Sequence, residues 1–338
     1  MSHRSVGENI EIQPRDVELL STLFECRVLT RSQAAVLHFG GRTEATKKRL
    51  QALVRAAYVK ALPNRLRGRS VFTLSRRGYE LLRGRAHPAV DGYHTWIDAG
   101  RELRVSPSFV DHEIDVTDVR AAIVTAVAAH PGLRLTEICT RSARIAFDAQ
   151  EAGNRARVEP DGFFRLGECV TDGADVDHYF FLEVDRSTES CAVLVRKAAC
   201  YRGHYRHGGL AARYGGRPER FKAFPFRVLV TCRTPERRNN LAARLLTLTP
   251  KPGGQVWLTT FAEAIANPLD AIWVTPSAYA AAVAGTVYAP PCEADAPPRP
   301  CYRRDAERDR WVEHHVIKRR LLSGARPTSR ANQHHQDV

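Results

Sequence analysis

Val17, Leu20 and Phe24 recur at helical spacing in RDVELLSTLFE, with Leu19 and Leu23 beside them. That stripe predicts a first amphipathic helix. In LTRSQAAVLHF, Thr30 stands three residues before Gln33, the pattern of a capping box, so a second helix is expected from there to about His38. Gly40 and Gly41 break the chain. A third helix is expected in TEATKKRLQALVRAAY, capped by Thr43, with Leu50, Leu53, Val54 and Ala57 facing inward. Two short β-like runs follow, YVKALP and SVFTL, joined by the turn NRLRGR. SRRGYELL closes the segment as another helix.

Further along, DHEIDVTDVRAAIVTAVAAH carries an apolar stripe through Ile114, Val116, Val119, Ile123, Val124 and Val127, which predicts a helix stopped by Pro131. SARIAFDA, EPDGFFRLG and HYFFLEVDRS read as three strands. A helix is expected from about Ser190 to Tyr205, then the strand FPFRVLVTC. Thr234 and Pro235 open a capped helix in TPERRNNLAARLLTL. QVWLTT and DAIWVT add two short strands. The order predicts an α/β domain with a mixed sheet. APPCEADAPPRP reads as a proline-rich spacer. RRDAERDRWVEHHVIKRRLL then reads as an amphipathic helix with Trp311, Val312, Val316 and Leu321 partly aligned, before a polar tail. Four regions result: a first domain at 1–85, a linker at 86–110, the α/β domain at 111–285, and a spacer, charged helix and tail at 286–338.

Charge changes the picture. The 338-residue chain has a formal net charge of +14. Residues 1–85 hold 17 Lys and Arg against 7 Asp and Glu, so most of the excess lies in the first quarter. This favours a polyanion as partner, nucleic acid before membrane, because no basic amphipathic anchor stands out. No apolar run reaches the ~20 residues of a bilayer span, and the N-terminus lacks the apolar stretch of a secretory signal. A cytoplasmic protein is expected. The eight cysteines form no CxxC pair and read as ordinary thiols rather than a zinc site.

Three helices followed by a basic hairpin resemble the plan of a winged helix-turn-helix, whose third helix enters the major groove of double-stranded DNA. Burying Leu50 and Leu53 leaves Arg42, Thr43, Lys47, Lys48 and Gln51 outward, where they can reach phosphates and base edges. Arg65, Arg67 and Arg69 in the hairpin turn suit the backbone or the minor groove. The bland alternative is a small helical bundle with a charged solvated face.

The stretch FFLEVDRSTES is harder to place. It sets Glu183 and Asp185 on one face of a strand, beside Arg186. Buried carboxylates need a partner or a metal. Three readings stand open: a metal site, a buried ion pair, or a strand end emerging into solvent. The order of elements resembles the PD-(D/E)XK nuclease core, through Pro160-Asp161 on one strand and Glu183-x-Asp185 on the next. That resemblance implies Asp161 and Glu183 as ligands of magnesium for phosphodiester cleavage. Asp185 stands where the motif has lysine. Lys197, on the following helix, is the candidate to reach back, and Glu113 is a possible further ligand. The alternative is that Asp161 caps a turn and Glu183 pairs with Arg186 or Lys197.

Across residues 14–250 the chain resembles the replication-relaxation family of plasmids and other mobile elements. The resemblance rests on RDVELLSTLFECRVLTRSQAAVLHF, DHEIDVTDVRAAI, EPDGFFRL, FFLEVDRSTES with Lys197 and Tyr201, and PFRVLVTCRTPERRNNL. It implies a DNA-binding protein acting in plasmid replication or DNA relaxation, with replication or relaxation proteins as further partners. No HxH cluster accompanies Tyr201 or Tyr205 as a relaxase would require. Two other functions remain open: a magnesium-dependent nuclease or nickase, and a transcription regulator with a sensing or assembly domain.

Overall fold

The computed structural model describes residues 10–63, 69–151, 154–169, 175–251, 254–288, 316 and 318–322. The chain divides into two compact units, one of residues 1–125, 139–146 and 159–163, the other of 126–138, 147–158 and 164–338.

The first unit opens with α1 (Pro14–Cys26), β1 (Leu29–Thr30), α2 (Arg31–Phe39) and α3 (Thr43–Arg55). It continues through β2 (Val59–Ala61), β3 (Val71–Leu74), α4 (Arg76–Gly84) and α5 (Trp96–Glu102) into α6 (Pro107–Ala128), whose last turn counts with the second unit. The expected stripe of α1 is buried, with Leu19, Leu20, Leu23 and Phe24 fully enclosed. Thr30 caps α2 as expected: its hydroxyl accepts from the Gln33 amide at 3.2 Å, and the Gln33 side chain accepts from the Thr30 amide at 2.8 Å. Gly40 ends α2 with φ +57°, donating its amide to Ala35, a conformation that an L side chain resists. The expected cap of α3 differs. Thr43 is already its first helical residue, and Arg42 holds the cap position without a side-chain capping bond, its Nε donating instead to the Phe39 carbonyl at 3.0 Å.

β1, β3 and β2 form an antiparallel three-stranded sheet in that order, with Leu29 opposite Phe72 and Val59 opposite Leu74. Of the arginines in the β2–β3 turn, Arg65 and Arg67 lie outside the described residues. Residues 86–110, expected as a linker, include α5 and contribute Ala89, Val90 and Ala99 to the same core as α1. Gln33 also fastens α6, donating to the Ile114 carbonyl at 2.9 Å and to Asp118 at 2.7 Å.

The rest of the chain contains β4 (Leu133–Cys139), α7 (Ser142–Ile145), β5 (Phe147–Glu151), β6 (Asn154–Val158), β7 (Gly162–Cys169) and β8 (Asp175–Asp185). After these come α8 (Cys191–Arg206), α9 (Gly209–Arg213), β9 (Phe226–Cys232), α10 (Pro235–Leu245), β10 (Val256–Thr260), α11 (Phe261–Ala266) and α12 (Pro276–Tyr288). SARIAFDA, expected as one strand, divides into the short helix α7 and strand β5. The strand expected in DAIWVT is reduced to single bridges, Val274 to Leu258 and Trp273 to Arg319. Most of the expected C-terminal helix, with Trp311 and Val312, lies outside the described residues. Its described end, Lys318–Leu322, is not helical; there the Arg319 backbone exchanges hydrogen bonds with Trp273, and Leu321 is buried.

The main sheet is mixed and runs in the order β10-β9-β8-β7-β4. β8, β9 and β10 are parallel, with Glu183 opposite Val230, Asp185 opposite Cys232, and Val256 opposite Val228. Parallel neighbours need a crossover, which α8 supplies between β8 and β9 and α10 between β9 and β10. From Tyr179 to Asp185, every residue of β8 is buried. Such a continuous apolar run is what a parallel strand covered on both faces requires. Thr234 caps α10 through the Arg237 amide at 3.1 Å, as its sequence anticipates.

Candidate functional site

The first candidate surface belongs to α3. Thr46, Leu50 and Leu53 are its buried residues. Arg42, Thr43, Lys48 and Gln51 are exposed, and the Lys47 side chain keeps 44% of its accessible area. Lys47 stands 3.9 Å from Glu44, an exposed pair worth little against a phosphate competitor. The basic residue between Lys48 and Leu50 behaves differently. Arg49 donates its Nε to Asp16 Oδ1 at 2.8 Å and its Nη2 to the other carboxylate oxygen and to the Glu11 carbonyl. The Asp16 side chain is only 1% exposed. The bond raises the Arg49 pKa and ties α3 to α1. Arg49 is thus a structural cation, while Arg42, Thr43, Lys48 and Gln51 are exposed. Arg69 is exposed and stands 3.8 Å from Asp118.

Asp161, just ahead of β7, falls in the first unit. Its Oδ1 lies 2.9 Å from His112 Nε2. Next to His112, the buried Glu113 accepts from Arg27 at 2.7 Å. Burial pushes the Glu113 carboxyl above its ordinary range, against the pull of Arg27 and His112, with Asp161 adding to the rise.

Glu183 and Asp185 fall in the second unit, and each carboxylate is held by residues from a helix. Glu183, 3% exposed, accepts from Lys197 Nζ at 3.0 Å and from the Tyr201 hydroxyl at 2.6 Å, both on α8. Asp185, 1% exposed, accepts from Arg237 Nε at 2.6 Å and Nη2 at 3.1 Å, and from the Ser187 amide at 2.8 Å. Arg237 sits in the first turn of α10 and its pKa is raised by that bond. Of the three readings of FFLEVDRSTES, the geometry is that of two buried ion pairs. Lys197 does reach back to Glu183. Sequence reasoning missed Arg237, which lies 52 residues from its partner. Burial, and then the neighbouring Asp185, push the Cys232 thiol far above its usual range.

Lys197 holds Glu183 and His112 holds Asp161, so a divalent cation at either carboxylate would replace a bond that the side chain already makes. Among the described residues, no group of three or more His, Cys, Asp and Glu is placed to hold a metal.

The replication-relaxation family model matches residues 20–219. The chain belongs to the replication-relaxation family. No curated protein and no solved structure matches it. The replication-relaxation match takes in α2, α3, the His112–Asp161 pair and Glu183 with Lys197 and Tyr201. It stops before β9, α10 and β10, so the Asp185 partner Arg237 lies beyond it. No helix among the described residues is long and apolar enough to cross a membrane.

Proposed function

We propose that the chain is a duplex-DNA-binding protein acting in the replication or relaxation of a plasmid or other mobile element. The first unit serves as a winged helix-turn-helix, with α3 as the helix that enters the major groove. The observation that carries this reading is the division of labour along α3. Arg49 is spent on Asp16, and Arg42, Thr43, Lys47, Lys48 and Gln51 remain on the outer face. The order of three helices and an antiparallel hairpin supports it, as does the concentration of positive charge before residue 86. The wing is the β2–β3 turn, and the exposed Arg69 at its end would exchange its 3.8 Å pairing with Asp118 for the backbone of the duplex.

The second unit acts as a platform rather than a nuclease. Lys197 and Tyr201 at Glu183, and Arg237 at Asp185, stiffen the junction between strand ends and helices; these bonds, which magnesium would have to displace, support the platform reading.

Duplex affinity as a function of salt tests the DNA reading. Each phosphate contact contributes about 0.9 to the slope of log K against log salt. The double variant Lys47→Ala, Lys48→Ala is expected to bind more weakly and to flatten that slope by about 1.8. Unchanged affinity and slope would overturn the assignment of α3.

A further inference from the structure

A cavity of about 570 Å³ opens in the second unit, within the ~300–1,000 Å³ range of small-molecule sites. The first half of β8, the last turn of α8, the start of β9, and Pro250, Lys251, Gly254 and Gln255 ahead of β10 line it. Three cations on the side of Tyr205 and Phe226 stand in its wall: Arg202, Arg206 and Lys251. Among the described residues none of the three has a carboxylate partner. Arg202 donates to the Pro250 carbonyl, a neutral acceptor. Asp177, the carboxylate in the wall, is already neutralised by Arg165, which donates Nε at 2.8 Å and Nη2 to its two oxygens. The wall therefore carries positive charge with no internal counter-charge, in a concave setting where field is concentrated.

Arg227, next to Phe226 on β9, turns its guanidinium to the other face of the sheet, 4.6 Å from the ring centroid of Trp257 and 5.9 Å from that of Phe180, so it is not counted among the cations that face the ligand. The cavity is also aromatic. Tyr205 and the buried Phe226 meet edge to face at 5.7 Å in its wall. Three cations ask for a ligand with several negative charges in a small volume, and aromatic walls ask for a flat ring. An inorganic anion has no use for the rings, and an apolar ligand has none for the cations.

We propose that this cavity binds a nucleoside phosphate. The phosphates meet Arg202, Arg206 and Lys251, and the base lies against Tyr205 and Phe226. The nucleotide is either free in solution or an unpaired nucleotide of a DNA strand, since both offer the same chemistry.

Calorimetric titration of the full chain tests this, with dATP, pyrophosphate and a short single-stranded thymidine oligonucleotide as probes. Arg206→Ala with Lys251→Ala is the variant, because both side chains are exposed and their removal leaves the core intact. Loss of two charge-assisted contacts is expected to weaken binding at least roughly tenfold. If dATP binds, more tightly than pyrophosphate and with that sensitivity, the ligand is a free nucleotide. If only the oligonucleotide binds with that sensitivity, the ligand is a strand. Three results each overturn the proposal: neither nucleotide probe binds, the variant binds both as the parent does, or pyrophosphate matches dATP. Lys47→Ala with Lys48→Ala is measured alongside. It is expected to lose duplex affinity and keep the cavity ligand, so failure of either reading is seen separately.

Discussion

Arg49 donates to both carboxylate oxygens of Asp16, and this one pair separates the structural cation of α3 from its exposed neighbours. Asp16 is fully enclosed in α1, so its charge depends on Arg49. Lys48, one residue away, is exposed. Adjacent basic residues on the same helix therefore carry different burdens. Arg49→Ala leaves a buried carboxylate unpaired and is expected to destabilise the protein by about 3 kcal/mol in urea titration. Lys48→Ala is expected to change stability by less than about 0.5 kcal/mol while weakening duplex binding. Equal stability losses in the two variants would contradict the division.

The hydrogen bonds at Glu183 make a second expectation. Tyr201→Phe removes one bond to a buried charge and is expected to cost about 1.5–3 kcal/mol. Glu183→Ala removes both bonds and leaves Lys197 the exposed Glu189 at 3.6 Å, with an expected cost of about 3 kcal/mol. With magnesium or manganese, neither the parent protein nor Glu183→Ala is expected to nick supercoiled plasmid. Metal-dependent nicking that disappears in a folded Glu183→Ala protein would restore the nuclease reading.

Arg237 lies beyond the matched span of 20–219, yet it neutralises Asp185 inside that span. A chain ended after Glu219 also loses β9, the parallel neighbour of β8. Phe180, Phe181 and Leu182 would then face water along an open strand edge. Such a fragment is expected to be insoluble or to lack a cooperative unfolding transition, and Arg237→Ala in the full chain to lose about 3 kcal/mol.

His204 stacks on Phe147 with ring centroids 3.9 Å apart, and burial, helped by Arg213, lowers its pKa to about 4. His38 is lowered to about 4 by burial and then by Arg120 and Arg15. The unfolded chain takes up these protons near pH 6.5, before the folded chain does. Stability from both groups is therefore present above pH 6.5 and falls as pH drops toward 4. For the half-buried His204 the loss is about 2 kcal/mol after allowing for solvent screening. Urea midpoints between pH 7.5 and 4.5 measure it, and His204→Phe is expected to flatten part of the decline.

Much of this organisation was legible in local patterns. The stripe of α1, the Thr30–Gln33 box and the β8 run follow from spacing alone, because each signal lies within a few neighbouring residues. The spacing Thr46, Arg49, Leu50, Leu53 would also have revealed Arg49 as inward-facing, since these positions share one helical face. Other features resist local reading. α7 is four residues long, too short to show a period. Lys197 was within reach of inference because α8 directly follows β8. Arg237 was not, because a whole strand intervenes. The cavity draws its wall from four separated segments between Asp177 and Gln255, and only the parallel order of β8, β9 and β10 brings them together. The wing arginines Arg65 and Arg67 lie outside the described residues, so Arg69 alone of the three has a described position.

The most direct measurement is photochemical crosslinking of the full chain to duplex DNA, followed by mass spectrometry of the attached peptides. Nucleotide adducts on residues 42–51 are expected, with none on the buried Leu50. Adducts confined to other segments, with residues 42–51 recovered unmodified at saturating duplex, would contradict the placement of α3 on DNA.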